Sequence, residues 1–308
     1  MKLYKTLVFK RYLKNYYNLK SKHSFNSLYF LILKILFEKF ITNILQALTF
    51  NKLLIYLIKK YNLIFSIKSI SIENKILLEK TWSKYNQINE ISVENKKIID
   101  ELNKKGYSYL GKIFSNEECE KFEKSLKGKY FFNSQQPLQS DGKKYLYNKD
   151  IKEYDFSYAC FLPSDFINFN SLKIFLEKNK ELFREYLCFD PQIYSSLTWI
   201  NSQSKEEHYV HKLHRDYDDY KFLTIIINWT RSSKDNGATR YLEGSHNSNN
   251  NDGNKIYFGG DEGSVYIANL YGLHSGTPVK GNRRISTWIR LGHLVNPGSL
   301  QDGLVTAP

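Results

Sequence analysis

The amino-acid sequence predicts an α+β fold, with a helical N-terminal part followed by an antiparallel sandwich or barrel of short strands. Three observations carry this. Residues 28–50 place their polar members in one helical stripe. Beyond Pro191 the apolar runs shorten to strand length. The breaks between them are turn sequences: Asn236-Gly237, Glu243-Gly244-Ser245, Asp252-Gly253, Gly259-Gly260 and Gly281-Asn282. The 308 residues suffice for one large domain with a smaller appendage. At 42% hydrophobic and 16% aromatic residues, disorder throughout the chain is excluded.

The N-terminal segment is set apart by charge. The chain carries a formal +14, and residues 1–70 hold 13 Lys and Arg against one acid, Glu38. The remainder is nearly neutral, with 32 bases and 30 acids. In the run 28–50, Lys34, Glu38, Lys39, Thr42, Asn43 and Gln46 fall on one side of a helix. A second apolar stretch, 53–58, is closed by Lys59 and Lys60. No charge-free run approaches the roughly 18–20 residues of a membrane-spanning helix. The segment therefore reads as a basic amphipathic helical extension. It either packs on the downstream domain or on a second copy, or it lies on an anionic membrane surface. Nucleic acid is not an expected partner, because the segment has a single Arg and no reading motif.

Residues 71–103 are polar, lack Gly and Pro, and read as a connecting helix. From Lys104 the texture changes to a short strand, a turn and a helix. Ser115 with Glu118 three residues later makes a capping box for a helix to about Leu126. Asn170 is expected to cap a further helix running to Leu187. Between these two helices lies a polar loop at about 133–149. Strands are expected at 194–200, 207–213, 222–229, 239–242, 264–270 and 284–291. The domains are then 1–70, the basic segment; 71–103, the connector; 104–295, the main domain; and 296–308, a tail.

Cys119, Cys160 and Cys188 are odd in number and widely spaced, without C-x-x-C. They fit a reducing compartment and argue against a disulfide framework or a structural zinc site. A leader peptide is not expected, since Lys10 and Arg11 interrupt the first apolar stretch. The expected location is the cytoplasm, with peripheral membrane contact as the sharper reading of residues 1–70.

Six of the seven histidines fall beyond residue 207. Among them is His214-Arg215-Asp216. In an extended strand, residues two apart share a face, so His214 and Asp216 can reach one metal ion while Arg215 points away. With seven His and 13 Asp, chance alone yields roughly 0.3 such triplets, so the triplet by itself carries little. The rest of the set gives it weight. His274 follows 58 residues after Asp216, and ten residues further comes Arg284, with Ser286 two beyond. Two His and one carboxylate leave three positions open on an iron. A 2-oxoacid fills two of them and dioxygen the third. The far carboxylate of 2-oxoglutarate is then a buried anion, for which Arg284 supplies a bidentate guanidinium and Ser286 a hydroxyl on the same strand face.

The stretch HRDYDDYKFLTIIINWTRSSKDNGATRYLEGSH, followed by LHSGTPVKGNRRIS, resembles the phytanoyl-CoA dioxygenase superfamily of Fe(II)/2-oxoglutarate-dependent oxygenases. So does the upstream GYSYLGKIFSNEECEKF. The resemblance covers about residues 104–295. It implies a double-stranded β-helix, that is, a jelly-roll or cupin-like barrel flanked by helices. It implies Fe(II) held by His214, Asp216 and His274, and 2-oxoglutarate bound by Arg284. It also suggests that Trp229 borders the co-substrate, and a core-aromatic reading of Trp229 stands equal beside that one. Arg284 is chosen over the adjacent Arg283 because it keeps Ser286 in phase.

The resemblance thus implies a hydroxylase acting on an unactivated C–H bond of a small-molecule or lipid-like substrate. Nothing marks a site for a CoA thioester. Asp216 disfavours halogenation, because it fills the position a chloride would need. Two other readings stand beside this one. One is a non-catalytic, membrane-docked jelly-roll binding protein, and the other a cupin-like metalloenzyme that does not use 2-oxoglutarate. Asp218 and Asp219 read as a solvated pair, His246 as a structural turn residue, and His208 and Lys212 as sharing strand parity with His214.

Overall fold

A computed structural model describes residues 92–133, 144–147, 157–161, 169–203, 211–216, 221–248 and 252–292. The expectations for residues 1–70 and for most of the 71–103 connector lie outside these residues, as does the 296–308 tail. So do His208, Asp218, Asp219 and much of the 133–149 loop. No helix among the described residues is long and apolar enough to cross a membrane.

Helix α1 (Val93–Lys105) is capped by Ser92, whose side chain accepts from the Asn95 N–H. It ends at Gly106, in the left-handed region at φ 89°. Gly106 is required twice over, because a Cβ there would also run into the Tyr241 hydroxyl and His246. Strand β1 (Tyr107–Lys112) leads to helix α2 (Asn116–Ser125), whose Ser115/Glu118 capping box forms as the sequence predicts. Strands β2 (Tyr130–Asn133), β3 (Lys144–Leu146) and β4 (Ser157–Phe161) follow. The expected 133–149 loop is thus partly strand, with β3 paired to β2.

The single helix expected from Asn170 to Leu187 is two. Helix α3 (Asn170–Lys178) and helix α4 (Lys180–Leu187) meet at Asn179, whose amide donates to the Phe175 carbonyl. That bond closes α3 and turns the chain. Asn170 is the first helical residue, not the cap; Phe169 holds the cap position without a side-chain bond.

The remaining strands are β5 (Gln192–Asn201), β6 (Leu223–Asn228), β7 (Thr239–Leu242), β8 (Lys255–Phe258), β9 (Ser264–Ala268), β10 (His274–Ser275) and β11 (Arg284–Gly292). The strand expected at 207–213 is corrected where it is described, since residues 211–213 are not in a strand. The large sheet runs β1-β9-β6-β11-β5-β4-β2-β3 and the small one β10-β7-β8. All strand pairs are antiparallel. Successive segments alternate between the sheets. β5 lies in the large sheet, and His214 bridges to His274 of the small one. β6 returns to the large sheet, β7 and β8 to the small, β9 to the large, β10 to the small and β11 to the large.

Strand β6 is buried at all six positions, so both faces of the large sheet are covered. One face carries Ile225, Ile227, Val265, Ile267, Ile285 and Ile289, packed with Leu102, Phe122, Phe175 and Leu182 of the helices. The other carries Ile226, Tyr266 and Ala268, packed with Tyr241 and Phe258 of the small sheet. A helix layer, a large sheet and a small sheet are therefore stacked in that order. The space between the sheets holds the polar residues discussed next.

Candidate metal centre

His214, Asp216 and His274 come together, each offering a ligand atom within 4.8 Å of the others. The backbone brings them there. His214 and His274 exchange two N–H···O bonds of 2.9 Å, and the Asp216 N–H bonds to the Leu270 carbonyl at 3.0 Å. The small sheet thus extends just far enough to align the His-x-Asp segment against β10. Asp216 Oδ1 lies 4.0 Å from His214 Nε2, and Oδ2 lies 3.6 Å from His274 Nε2.

Both imidazoles are oriented the same way. His214 Nδ1 contacts the Lys212 carbonyl at 2.8 Å, and His274 Nδ1 contacts the Gly272 carbonyl at 3.0 Å. A carbonyl only accepts, so Nδ1 carries the proton and Nε2 presents its lone pair to the centre. This is the arrangement metal-ligating histidines adopt. His274 Nε2 is buried and has no hydrogen-bond partner. Burial pushes the pKa of His274 down to about 4, against the pull of Asp216, so the ring is neutral at pH 7. A neutral, buried, unpartnered imidazole nitrogen facing a carboxylate and a second imidazole fits a divalent metal. Arg215 points away, donating to the Ser245, Tyr271 and Ser248 carbonyls.

Residues directly paired across an antiparallel sheet share a face. Ser286 pairs with Trp199 on one side and Asn228 on the other, so these three form one row facing the small sheet. Arg284, Trp288 and Arg290 share the parity of Ser286 along β11. Arg284 is buried, and its Nη2 lies 3.5 Å from Thr239 Oγ1. Burial pulls its pKa down to about 10. No carboxylate among the described residues meets this guanidinium, and its Nε is unpartnered. Ser286 Oγ, Asn228 Oδ1, Trp199 Nε1 and Trp288 Nε1 also lack partners. Buried polar atoms are ordinarily satisfied, so a cluster of them on one interior face fits a polar, anionic ligand. Gly237 makes room here, since a Cβ on it would lie 2.9 Å from Arg284 Cδ.

Arg283 turns to the other face, pairing with Glu123 and lying over the Tyr147 ring at 5.2 Å. The choice between the two arginines is therefore made by strand parity.

Trp229 is a correction. Expected to border the co-substrate, it lies on the helix-covered face. Its ring stacks on Phe122 at 3.9 Å and 11°, with Phe114 at 5.0 Å. Its Nε1 donates to Thr287 Oγ1 at 2.7 Å, and Thr287 is out of phase with Arg284 and Ser286. Asn228 ends β6, and Trp229, the next residue, keeps the strand's odd-numbered face and enters the aromatic cluster.

No family model and no curated protein sequence matches the chain. Solved structures similar to it include EvdO2 from Micromonospora carbonacea var. aurantiaca complexed with 2-oxoglutarate, at 10% identity and TM-score 0.48, covering 67% of this chain and 93% of that one. The non-heme alpha ketoglutarate dependent epimerase SnoN from nogalamycin biosynthesis is similar at 9% identity and TM-score 0.47, over 64% and 82% of the two chains. HygX from Streptomyces hygroscopicus, with nickel, 2-oxoglutarate and hygromycin B bound, is similar at 12% identity and TM-score 0.45, over 67% and 88%.

Sequence reasoning missed Arg290, which donates to Asp216 Oδ2 at 2.9 Å. It also missed Trp199, Asn228, Thr239 and Trp288 as interior residues. A signal was present: Arg284, Ser286, Trp288 and Arg290 alternate with apolar or small residues at period two. Read as one strand face, that alternation marks a polar interior row. His246 is structural as expected, buried with Nε2 near the Asn103 carbonyl at 3.2 Å.

Proposed function

We propose that the protein is an Fe(II)- and 2-oxoglutarate-dependent oxygenase built on a double-stranded β-helix, with residues 104–295 as the oxygenase domain. One observation carries the reading. A two-histidine, one-carboxylate cluster with its Nε2 atoms turned inward shares an interior with a buried arginine that meets no carboxylate among the described residues. The alternation of successive segments between two facing antiparallel sheets supports the fold assignment.

His214, Asp216 and His274 would hold the iron. Bound there with 2-oxoglutarate, the metal supplies oxidation by O2, with release of succinate and CO2. The chain's own residues do the positioning. Arg284 offers a planar pair of N–H donors to the distal carboxylate, and Ser286 a hydroxyl on the same face. The Lys212 and Gly272 carbonyls fix both imidazoles, so the ligand atoms need no reorientation. Ile226, Tyr266 and Trp288 form an apolar wall of the interior.

The outcome we propose is hydroxylation of an unactivated C–H bond in a small-molecule or lipid-like substrate. The basic segment 1–70 is proposed to touch an anionic membrane surface, and flotation with and without anionic lipid tests that. The oxygenase reading is tested by purifying the protein without oxygen and adding Fe(II) and 2-oxoglutarate. A visible metal-to-ligand charge-transfer band, and succinate formation on adding O2, are expected. A protein that gives neither is not an oxygenase of this kind.

A further inference from the structure

The carboxylate of Asp216 is held from the opposite sheet. Its backbone belongs to the segment bridged to β10, but the guanidinium on Oδ2 comes from Arg290 of β11, at 2.9 Å. Both side chains are largely buried, at 11% and 15% exposure, so this is not a solvated surface pair. The two oxygens are thereby made different. Oδ2 takes the Arg290 N–H and lies 3.6 Å from His274 Nε2, while Oδ1 lies 4.0 Å from His214 Nε2.

We propose that Arg290 is a positioning residue for the metal centre, holding Asp216 to one-oxygen ligation. A carboxylate can meet a metal through one oxygen or both. With both, it takes a position that the ligand set must leave open. Two imidazoles and one carboxylate oxygen leave three open positions, which a two-point 2-oxoacid and O2 together need. A second carboxylate oxygen on the metal leaves only two. A guanidinium fixed on Oδ2 disfavours that, because it draws on that oxygen's charge and holds the carboxylate's orientation. The inference rests on the oxygenase reading above, and it adds a residue that His-x-Asp spacing does not reveal.

The test uses Co(II) in place of iron, without O2. Its visible absorption reports coordination number directly. Three proteins are compared: the unaltered chain, Arg290→Met, which removes the donor, and Arg290→Lys, which keeps one. Before 2-oxoglutarate is added, Arg290→Met is expected to bind Co(II) with a changed spectrum, and Arg290→Lys with the original one. On titration, 2-oxoglutarate affinity is expected to fall by about tenfold or more in Arg290→Met. It should stay close to the original in Arg290→Lys. Thermal melting accompanies each sample, and Arg290→Leu, which also lacks a donor, replaces the methionine variant if that variant does not fold.

An unchanged Co(II) spectrum in Arg290→Met, before any 2-oxoglutarate is present, overturns the proposal. In that case any loss of 2-oxoglutarate affinity belongs to a direct contact with the co-substrate. An unaltered chain that takes up no Co(II) overturns the oxygenase reading and this inference together. One that binds Co(II), with variants that match it, overturns only this inference.

Discussion

At the residue scale, the candidate site is marked by buried polar groups that lack hydrogen-bond partners. Arg284 is the sharpest of these. A buried guanidinium without a carboxylate costs stability, so its removal should help the empty protein while harming binding. Arg284→Met is expected to leave the melting temperature unchanged or raise it by a few degrees. It should weaken 2-oxoglutarate binding to the Mn(II)-loaded protein by about a hundredfold, as loss of a charge-assisted pair does. Calorimetric titration and thermal melting on the same samples check both signs. Asp216→Ala is expected to abolish iron retention while the far-ultraviolet circular dichroism stays native; unchanged iron content refutes the ligand assignment.

His274 gives a pH signature. Its folded pKa, about 4, lies below the ordinary value of 6.5. The unfolded chain therefore binds its proton first as pH falls. The stability contributed is present above pH 6.5 and is lost as pH falls from 6.5 toward 4, by on the order of 3 kcal/mol at most. Metal-free protein should show this loss in denaturant melts across that window, and His274→Gln should flatten it.

At the element scale, β11 is the strand on which both faces of the large sheet are decided. Its odd-numbered residues Ile285, Thr287 and Ile289 serve the helix-covered face, and its even-numbered residues Arg284, Ser286, Trp288 and Arg290 serve the interior. The sequence marks the strand and its parity, which is why Arg284 could be separated from Arg283. Trp229 continues the odd-numbered face of Ile225 and Ile227, and its N–H still bonds to the Ile285 carbonyl, so the parity of β6 already carries it to the helix-covered face, against what the resemblance suggests. The structure puts it in an aromatic stack with a hydrogen bond to Thr287. Trp229→Phe should therefore cost about 1–2 kcal/mol of stability through that bond and the altered packing. It should leave 2-oxoglutarate affinity unchanged in the same calorimetric titration. A large loss of affinity with unaltered stability would return Trp229 to the site. The split of the expected 170–187 helix at Asn179 has another cause, since a single side-chain-to-backbone bond decides it and periodicity does not encode it.

At the scale of the whole molecule, the space between the sheets joins ligand binding to folding. A metal that binds only the folded chain should stabilise it by about 2.7 kcal/mol at a hundredfold excess over its Kd. For a domain of this size that is roughly 5–10 °C in melting temperature. 2-Oxoglutarate should add a further rise only when metal is present, and scanning calorimetry of the four combinations checks this. The sequence by itself determined the mixed helix-and-sheet class, the capped helix α2 and most strands of the two sheets, and it singled out His214, Asp216 and His274, which the structure brings together, with Arg284 and Ser286 on one strand face. Those features are local: a period, a cap, a turn pair, a parity. Only the tertiary structure decided that Arg290 reaches Asp216 across the sandwich, that Trp199 and Asn228 flank Ser286, and that Trp229 stacks on Phe122 and donates to Thr287. Those relations join residues far apart in the chain, and they are set by strand register and sheet stacking, which no single stretch of sequence contains.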